Sequence, residues 1–358
     1  MAATIEQLLA DYRLPDNLGF GKEMAPVMYR ADCVNGDWQA GQLEPFGPIP
    51  INPAATSVQF GQQCFEGMKA FAGKHDSPRL FRPEANWARF ASSAERLTMK
   101  PVPADLFAEA LHQVTTALAG FVPTGRGQSL YLRPTLLGLD PHFGVHGSDN
   151  LAFLLLASPS DAYYGNPISV MVERRDTRAA HGGTGAQKVG GNYGASLLAT
   201  QRCEAAGFDQ SLWLDGQGRE LVEELSAMNF AAIIDGVLHT PSLGGTILPG
   251  ITRDSLLKLG PRLGLETIER PMPVTELIQD VQSGRCSEMF ACGTGAIVCP
   301  ISAIGEEDGT RHEVRGETRH AEALKNAILD IQEGHAEDPF GWTIPADDPE
   351  ALAARMIS

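Results

Sequence analysis

Six glycines crowd around one lysine between Gly182 and Gly194, in the stretch GGTGAQKVGGNYG. Glycine is favoured where the backbone must turn sharply or approach a neighbour closely. Lys188 in such a stretch has two readings: an amine that meets a ligand, or a solvated side chain in a mobile surface loop. Two familiar phosphate loops fail here. A P-loop needs Gly before the lysine and Ser or Thr after it, whereas Lys188 has Gln187 and Val189. A GxGxxG fingerprint fails because Gly183 and Gly185 are followed by Lys188 where the third glycine belongs. On the residues alone, the solvated lysine is the simpler reading.

Four other groups could serve chemistry. Glu223 and Glu224 end a strand-like run that enters the apolar segment Phe230–Ile234. A carboxylate buried there needs a cationic partner, and a pyridinium nitrogen is one; a solvated acidic turn is the plainer alternative. Leu248 to Asp254 (LPGITRD) reads as a tight turn feeding a helix, with Thr252 as N-cap and Asp254 in the first turn, whose N–H groups could hold a phosphate or simply start a helix. Cys292 to Gly295 forms a second turn able to present N–H groups to a carboxylate. Tyr131 and Arg133, two apart in a strand-like run, share one face, suited to an anion or to water at a sheet edge.

These groups need a scaffold, and the chain is long enough for one. Its 358 residues predict two domains, and 43% hydrophobic with 20% charged residues is ordinary for a globular protein. The balance of 28 basic against 44 acidic side chains, net −16, disfavours nucleic-acid and anionic-membrane partners outside a local basic pocket. Six scattered cysteines without CxxC spacing suit a reduced, cytoplasmic setting and give no metal site. The first residues read as neither signal nor transit peptide, and the longest strongly apolar run, Leu151–Ala157, is far too short to span a bilayer.

The pattern is mixed α/β. Extended segments are predicted near Pro26–Ala31 and Thr56–Phe60, helices over Glu84–Met99 and Ala104–Val122, and strands over Ser129–Gly138 and Asn150–Ser158. Turn formers around PSDAYYGNP place a domain junction at 161–170, between an N-terminal α/β domain (1–160) and a C-terminal domain (171–358). In the second half, short strands at Gln210–Asp215, Glu220–Glu224, Phe230–Asp235, Met289–Ala291 and Ile297–Ile301 alternate with helices near Ala195–Ala206, Arg253–Leu263, Val274–Ser283 and His320–Gly334.

In one order, the segments GQQCFEGMKAF (61–71), LFRPEANWARF (80–90), SLYLRP (129–134), KVGGNYG (188–194), ILPGITRDSLL (247–257) and GTGAIVCP (293–300) resemble the branched-chain amino acid aminotransferases, class IV enzymes of fold type IV that use pyridoxal 5'-phosphate. The resemblance covers nearly the whole chain. It implies a two-domain, D-amino-acid-aminotransferase-like fold with the active site between the domains, the C-terminal one anchoring the cofactor. It further implies a homodimeric transaminase of Leu, Ile, Val or a related hydrophobic L-amino acid, with 2-oxoglutarate and glutamate as the partner pair in a ping-pong cycle. Lys188 would form the Schiff base and shuttle the proton, Tyr193 would bond the ring hydroxyl and Glu224 would pair with the pyridine nitrogen. Arg89, with the N–H groups of Ile251 and Thr252, would hold the phosphate. Thr294 and Gly295, assisted by Tyr131 and Arg133, would bind the substrate carboxylates, Thr294 also lying against the cofactor. Phe20, Phe60 and Tyr163 would line the side-chain slot, with Phe143 and Val145 contributed by the partner subunit.

The chain departs from that family at points near the substrate. Ala227 stands where a threonine is usual, Phe60 where many members have tyrosine, Gly295 where alanine follows the turn threonine, and Ala296 where animal relatives begin a CxxC. A D-amino-acid aminotransferase or a pyridoxal-dependent lyase of the same fold type would keep Lys188 and Glu224 but not the paired YLR and FEGMKAF segments. A transaminase of a different amino acid would differ at the substrate positions alone.

Overall fold

The computed structural model describes residues 4–73, 77–162 and 166–357. They form two compact units: Met1–Tyr163 with Lys188–Gly190 and Asp330–Ser358, and Tyr164–Gln187 with Gly191–Leu329. A single cut at 161–170 therefore does not describe the chain. The C-terminal end returns to the first unit because the strand Thr343–Pro345 pairs with Arg79–Phe81 and the helix Pro349–Met356 packs on the helices Pro83–Arg96 and Ala104–Ala117. The proposed linker also shortens, since one strand runs to Ser160 and the next begins at Ile168.

The N-terminal unit is built on a nine-stranded antiparallel sheet. Its centre is the pair Ser129–Gly138 and Leu151–Ser160, in register from Ser129 opposite Ser160 to Gly138 opposite Leu151. Alternation along Ser129–Gly138 buries Leu130, Leu132 and Leu136 in the core, against Phe90, Phe107, Leu111 and Phe153. The opposite face carries Tyr131, Arg133, Thr135 and Leu137. The helix predicted at Ala104–Val122 ends as an α-helix at Ala117, followed by a 3-10 turn at Ala119–Phe121. The extended segment expected at Thr56–Phe60 is instead one helical turn, Thr56–Gln59, closed by N–H bonds from Gln59 to Ala55 and from Phe60 to Thr56. Local turn bonding after Pro53 outweighs the strand preference of Thr56 and Val58.

The second unit holds a mixed nine-stranded sheet. Its path runs Val222–Leu225, Gln210–Leu214, Ile168–Glu173, Ile297–Gly305, Cys286–Gly293 and Asn229–Ile234, and the pairing of Glu224 with Asn229 returns it to its starting strand. The sheet thus closes on a packed interior that includes Val170, Leu212, Leu225, Phe230, Ala291 and Ile301. Asn229 also lies opposite Cys292. Three neighbouring strands therefore bring Glu224, Asn229 and the Gly293–Gly295 turn to one end of the sheet.

Candidate active site

In the N-terminal unit the lysine segment runs beside the strand Gln63–Phe65. Cys64 bridges Val189, and the Phe65 N–H donates to the Lys188 carbonyl at 3.0 Å. The Lys188 N–H donates to Ser93 Oγ at 2.9 Å, and Ser93 in turn donates to the Arg89 carbonyl at 2.9 Å. Gly190 lies close to Gln63, and a Cβ there would fall 2.2 Å from Gln63 Oε1 and displace that amide. Lys188 is consequently half-buried on a pinned backbone, its amine 5.0 Å from the centre of the Phe65 ring. The solvated-loop reading fails here, because both flanks of the lysine are stitched to the sheet and to the helix Pro83–Arg96.

Beside it lies a carboxylate to which sequence reasoning assigned no role. Glu66, with a side chain 0% exposed, receives Arg89 Nε at 2.6 Å and Nη2 at 2.9 Å, and Asn86 Nδ2 at 2.7 Å. Burial pushes the Glu66 carboxyl up, but the charge and hydrogen bonds of Arg89, the charge of Lys188 and the Asn86 bond together hold it below the usual carboxylate range. Asn86 and Arg89 sit one turn apart on one helix face, so the helix delivers both to the same acceptor. A fixed fork of this kind commits one edge of the guanidinium to Glu66 and fixes where its other edge points.

On the other face of the strand Ser129–Gly138, Arg133 Nη2 donates to Tyr131 Oη at 3.0 Å, and its guanidinium lies 4.8 Å from the Phe65 ring centre. Its Nε is buried without a hydrogen-bond partner. The edge-strand alternative is excluded, since Tyr131 is buried and Arg133 is half-covered. The Tyr131 hydroxyl rests against Gly67, where a Cβ would fall 2.1 Å from it. Phe20 meets the Tyr131 ring edge-on at 4.9 Å. Phe60 is exposed and faces His142 across 6.2 Å. Phe143 and Val145 stand on a loop at 77% and 93% exposure. Tyr163 lies outside the described residues.

The second unit holds its own charged cluster. Glu224 is 5% exposed and takes Arg178 Nη2 on Oε1 at 2.9 Å. Its Oε2 accepts Asn229 Nδ2 at 2.9 Å and the Leu248 N–H at 3.2 Å. Asn229 Nδ2 also donates to the Leu248 carbonyl at 2.9 Å, and a Cβ on Gly250 would fall 1.8 Å from Asn229 Oδ1. The carboxylate and the turn are one assembly. That turn starts the helix Ile251–Leu259 with Gly250, not Thr252, as N-cap, and no side chain caps it. Thr252 enters the helix because Gly250 already holds the extended conformation an N-cap needs, with φ −69° and ψ 129°. The solvated-turn reading of Glu223 and Glu224 falls, since both are buried.

Asn192, in the first turn of the helix Gly190–Ala205, clamps the glycine loop by donating to the carbonyls of Thr184 at 2.8 Å and Gln187 at 2.9 Å. Tyr193, next along that helix, is half-buried. At the far turn, Thr294 and Gly295 link Cys286–Gly293 to Ile297–Gly305, and Ile297 takes φ +62°, an unusual conformation for a β-branched residue. Ala227 sits in the neighbouring turn, its carbonyl 3.7 Å from where a Gly293 Cβ would lie. No cluster of metal-binding side chains occurs among the described residues.

Sequence reasoning missed Phe65, Glu66, Asn86, Asn229 and Arg178. The first three lay inside segments whose joint order was informative, and the helical spacing of Asn86 and Arg89 was a usable signal. Arg178 lies ten residues before Lys188 with no periodicity to mark it.

The chain has known relatives. The amino-transferase class IV family matches residues 63–304. A branched-chain-amino-acid aminotransferase of Mycolicibacterium smegmatis is 40% identical over 91% of this chain and 91% of its own length. Among solved structures, the branched-chain amino acid aminotransferase of Escherichia coli superposes with a TM-score of 0.73 at 25% identity, over 89% of this chain and 99% of that one. The branched-chain amino acid aminotransferase of Thermobaculum terrenum, solved in its PLP-bound holo-form, shares the fold with a TM-score of 0.74 at 22% identity, over 91% and 99%. The chain belongs to the class IV aminotransferases.

Proposed function

We propose that this chain is a pyridoxal 5'-phosphate-dependent L-amino-acid aminotransferase. It would exchange the amino group of leucine, isoleucine, valine or a closely related hydrophobic amino acid with 2-oxoglutarate. The observation that carries the reading is a pair of buried charged clusters of opposite excess. Around Lys188 two cations, Lys188 and Arg89, lie against the buried carboxylate Glu66; around Glu224 two buried acidic side chains, Glu223 and Glu224, lie against the guanidinium of Arg178. A phosphate monoester and an aldehyde call for the first composition, and a pyridinium nitrogen calls for the second.

The residues present fit the cofactor. The helix Ile251–Leu259 begins without a side-chain cap, and helix N-termini attract phosphate. Arg89, with the N–H groups of Ile251 and Thr252, would hold that phosphate, Tyr193 the ring hydroxyl, Glu224 the ring nitrogen, and Thr294 the cofactor's flank. When bound, the cofactor supplies the carbonyl that takes up the amino group and a ring that spreads the electron pair left when the substrate α-proton departs. Lys188 would hold the cofactor through its amine and, as the base nearest the substrate, would take up and return the α-proton. Its anchored backbone limits the amine to a short arc. Tyr131, Arg133, Thr294 and Gly295 take substrate carboxylates, and Phe20 and Phe60 present apolar surface to a hydrocarbon side chain.

The same arginine explains how one slot accepts two kinds of substrate. Arg133 keeps one buried N–H without a partner and rests its flat face on Phe65, offering charge to a distal carboxylate and a hydrocarbon-like edge to leucine. Phe143 and Val145, far too exposed for apolar residues of a lone subunit, support a homodimer in which they complete the slot of the partner. Six unpaired, buried cysteines support a reducing, cytoplasmic setting.

The test is spectroscopic first. The purified protein should be yellow, and the absorbance band should vanish in Lys188→Ala; a colourless protein that cannot be reconstituted with pyridoxal 5'-phosphate overturns the reading. Single-turnover bleaching of that band should then rank leucine, isoleucine and valine above alanine and phenylalanine. Equal inertness of all three removes the branched-chain assignment while leaving the aminotransferase.

A further inference from the structure

Glu224 sits in a far more committed environment than a carboxylate reserved for one ligand atom would require. Its Oε1 is ion-paired with a guanidinium, and its Oε2 receives a side-chain amide and a backbone N–H. Arg178 is 6% exposed and is fixed in turn: its Nη2 also donates to the carbonyls of Gly185, at 3.1 Å, and Thr246. Gly185 can approach only because it lacks a Cβ, which would fall 2.4 Å from the Thr246 oxygen. The guanidinium thus ties together the glycine loop that leads to Lys188, the turn that leads to the helix Ile251–Leu259, and Glu224.

The neighbouring groups sharpen what that guanidinium does. Glu223 is also buried, accepts the Thr246 hydroxyl through Oε1, and leaves Oε2 without a partner. Burial pushes its carboxyl up, against the opposing effects of the Thr246 bond, Arg178 and His181, with Asp215 adding to the rise. Cys292 also faces Glu224, and burial holds its thiol neutral at about 12. Arg178 contacts Glu224 with a full positive charge. A buried carboxylate without such a partner takes up a proton.

Building on the pyridoxal phosphate reading, we propose that Arg178 is a positioning residue for the cofactor's ring nitrogen: its charge holds Glu224 as an oriented carboxylate, so that the proton between them resides on the ring. Without that charge the proton moves to Glu224, which then donates to an unprotonated nitrogen. The ring loses its pull on the substrate's electron pair, although every residue that touches the cofactor is still present. No bond other than N–H or O–H changes, and the proton count is conserved.

The experiment is the ring-nitrogen NMR signal of holoenzyme loaded with pyridoxal 5'-phosphate labelled with 15N in the ring. Wild-type protein should show the protonated-ring signal and Glu224→Gln should lose it. Arg178→Gln removes the charge and keeps a polar side chain; it should also lose the signal, and Arg178→Lys should retain it. Cofactor affinity, read by tryptophan fluorescence, should fall roughly tenfold in Arg178→Gln, and the drop should nearly disappear with the 1-deaza cofactor, which has no ring nitrogen. Retention of the protonated signal in a folded Arg178→Gln holoenzyme overturns the proposal, as does an equal affinity loss for both cofactors. Should Arg178→Gln fail to fold, Arg178→Lys decides: an unprotonated ring in that variant overturns it. A wild-type protein that binds no cofactor strikes instead at the functional reading.

Discussion

The two units solve the same electrostatic problem with reversed polarity. In the N-terminal unit a fully buried carboxylate, Glu66, serves an arginine, and Lys188 adds a second cation. In the C-terminal unit a buried arginine, Arg178, serves a carboxylate, and Glu223 adds a second acidic group. The first cluster sets two cationic side chains on a buried carboxylate, and the second sets two acidic side chains on a buried guanidinium, with Glu223 pushed up by burial.

The largest expected effects come from removing the serving partner on each side. Glu66→Gln removes the carboxylate set against Arg89 and Lys188, and Arg178→Gln removes the guanidinium set against Glu224; each should cost about 3–5 kcal/mol of stability in the cofactor-free protein. The remedies should differ. Inorganic phosphate binds the stranded cations, so it should recover part of the melting temperature of Glu66→Gln and little of that of Arg178→Gln. Lowering the pH protonates stranded carboxylates, so the deficit of Arg178→Gln against wild type should shrink as pH falls from 8 to about 5, whereas that of Glu66→Gln should not. Identical responses of the two variants in thermal melts would break the comparison.

A smaller effect separates the substrates from the cofactor. Arg133→Leu removes charge from the face it shares with Tyr131 but leaves both clusters intact. Its kcat/KM for 2-oxoglutarate should fall roughly 10- to 100-fold, the worth of a charge-assisted bond. For the 2-oxo acid of leucine it should stay within about threefold, since an apolar side chain loses no partner. Parallel losses on both substrates would assign Arg133 to the carboxylate that all of them share.

Much of this architecture was legible from periodicity. The strand Ser129–Gly138 and the helix Val274–Ser283 have the predicted bounds, and the same-face relation of Tyr131 and Arg133 follows from a period of two. Order among the motifs carried the family where Lys188 and Glu224, each taken alone, pointed to solvent. What could not be read were relations made only by folding. The return of Thr343–Pro345 to Arg79–Phe81 leaves no mark in composition, and neither does the capture of Lys188–Gly190 by the strand Gln63–Phe65. Glu66 and Arg178 were invisible for the same reason: a buried ion pair between residues distant in sequence looks, residue by residue, like two surface charges. The side chain of Thr252 suits an N-cap, whereas the extended backbone of Gly250, packed against Asn229, sets where the helix starts.

The mildest prediction concerns how Glu224 is aimed. Asp215 closes the turn before its strand by accepting the N–H groups of Gln217 and Gly218 on Oδ2 and of Glu220 and Leu221 on Oδ1. Burial raises its carboxyl, but those four bonds outweigh it and bring Asp215 down to about 2. An unfolded aspartate titrates near about 3.9. Its folded value is depressed, so its stabilising contribution is complete above about pH 4 and is lost as pH falls toward 2. Asp215→Asn should therefore lower the melting temperature by about 2–4 °C at pH 7, a shift of the order of one lost cap. The difference from wild type should close as pH drops through that window. Because the turn feeds Val222–Leu225, the same variant should weaken cofactor binding slightly while leaving the phosphate response of Glu66→Gln unchanged. A difference that persists at pH 2, or one that grows there, would show that Asp215 acts through its shape and not through its charge.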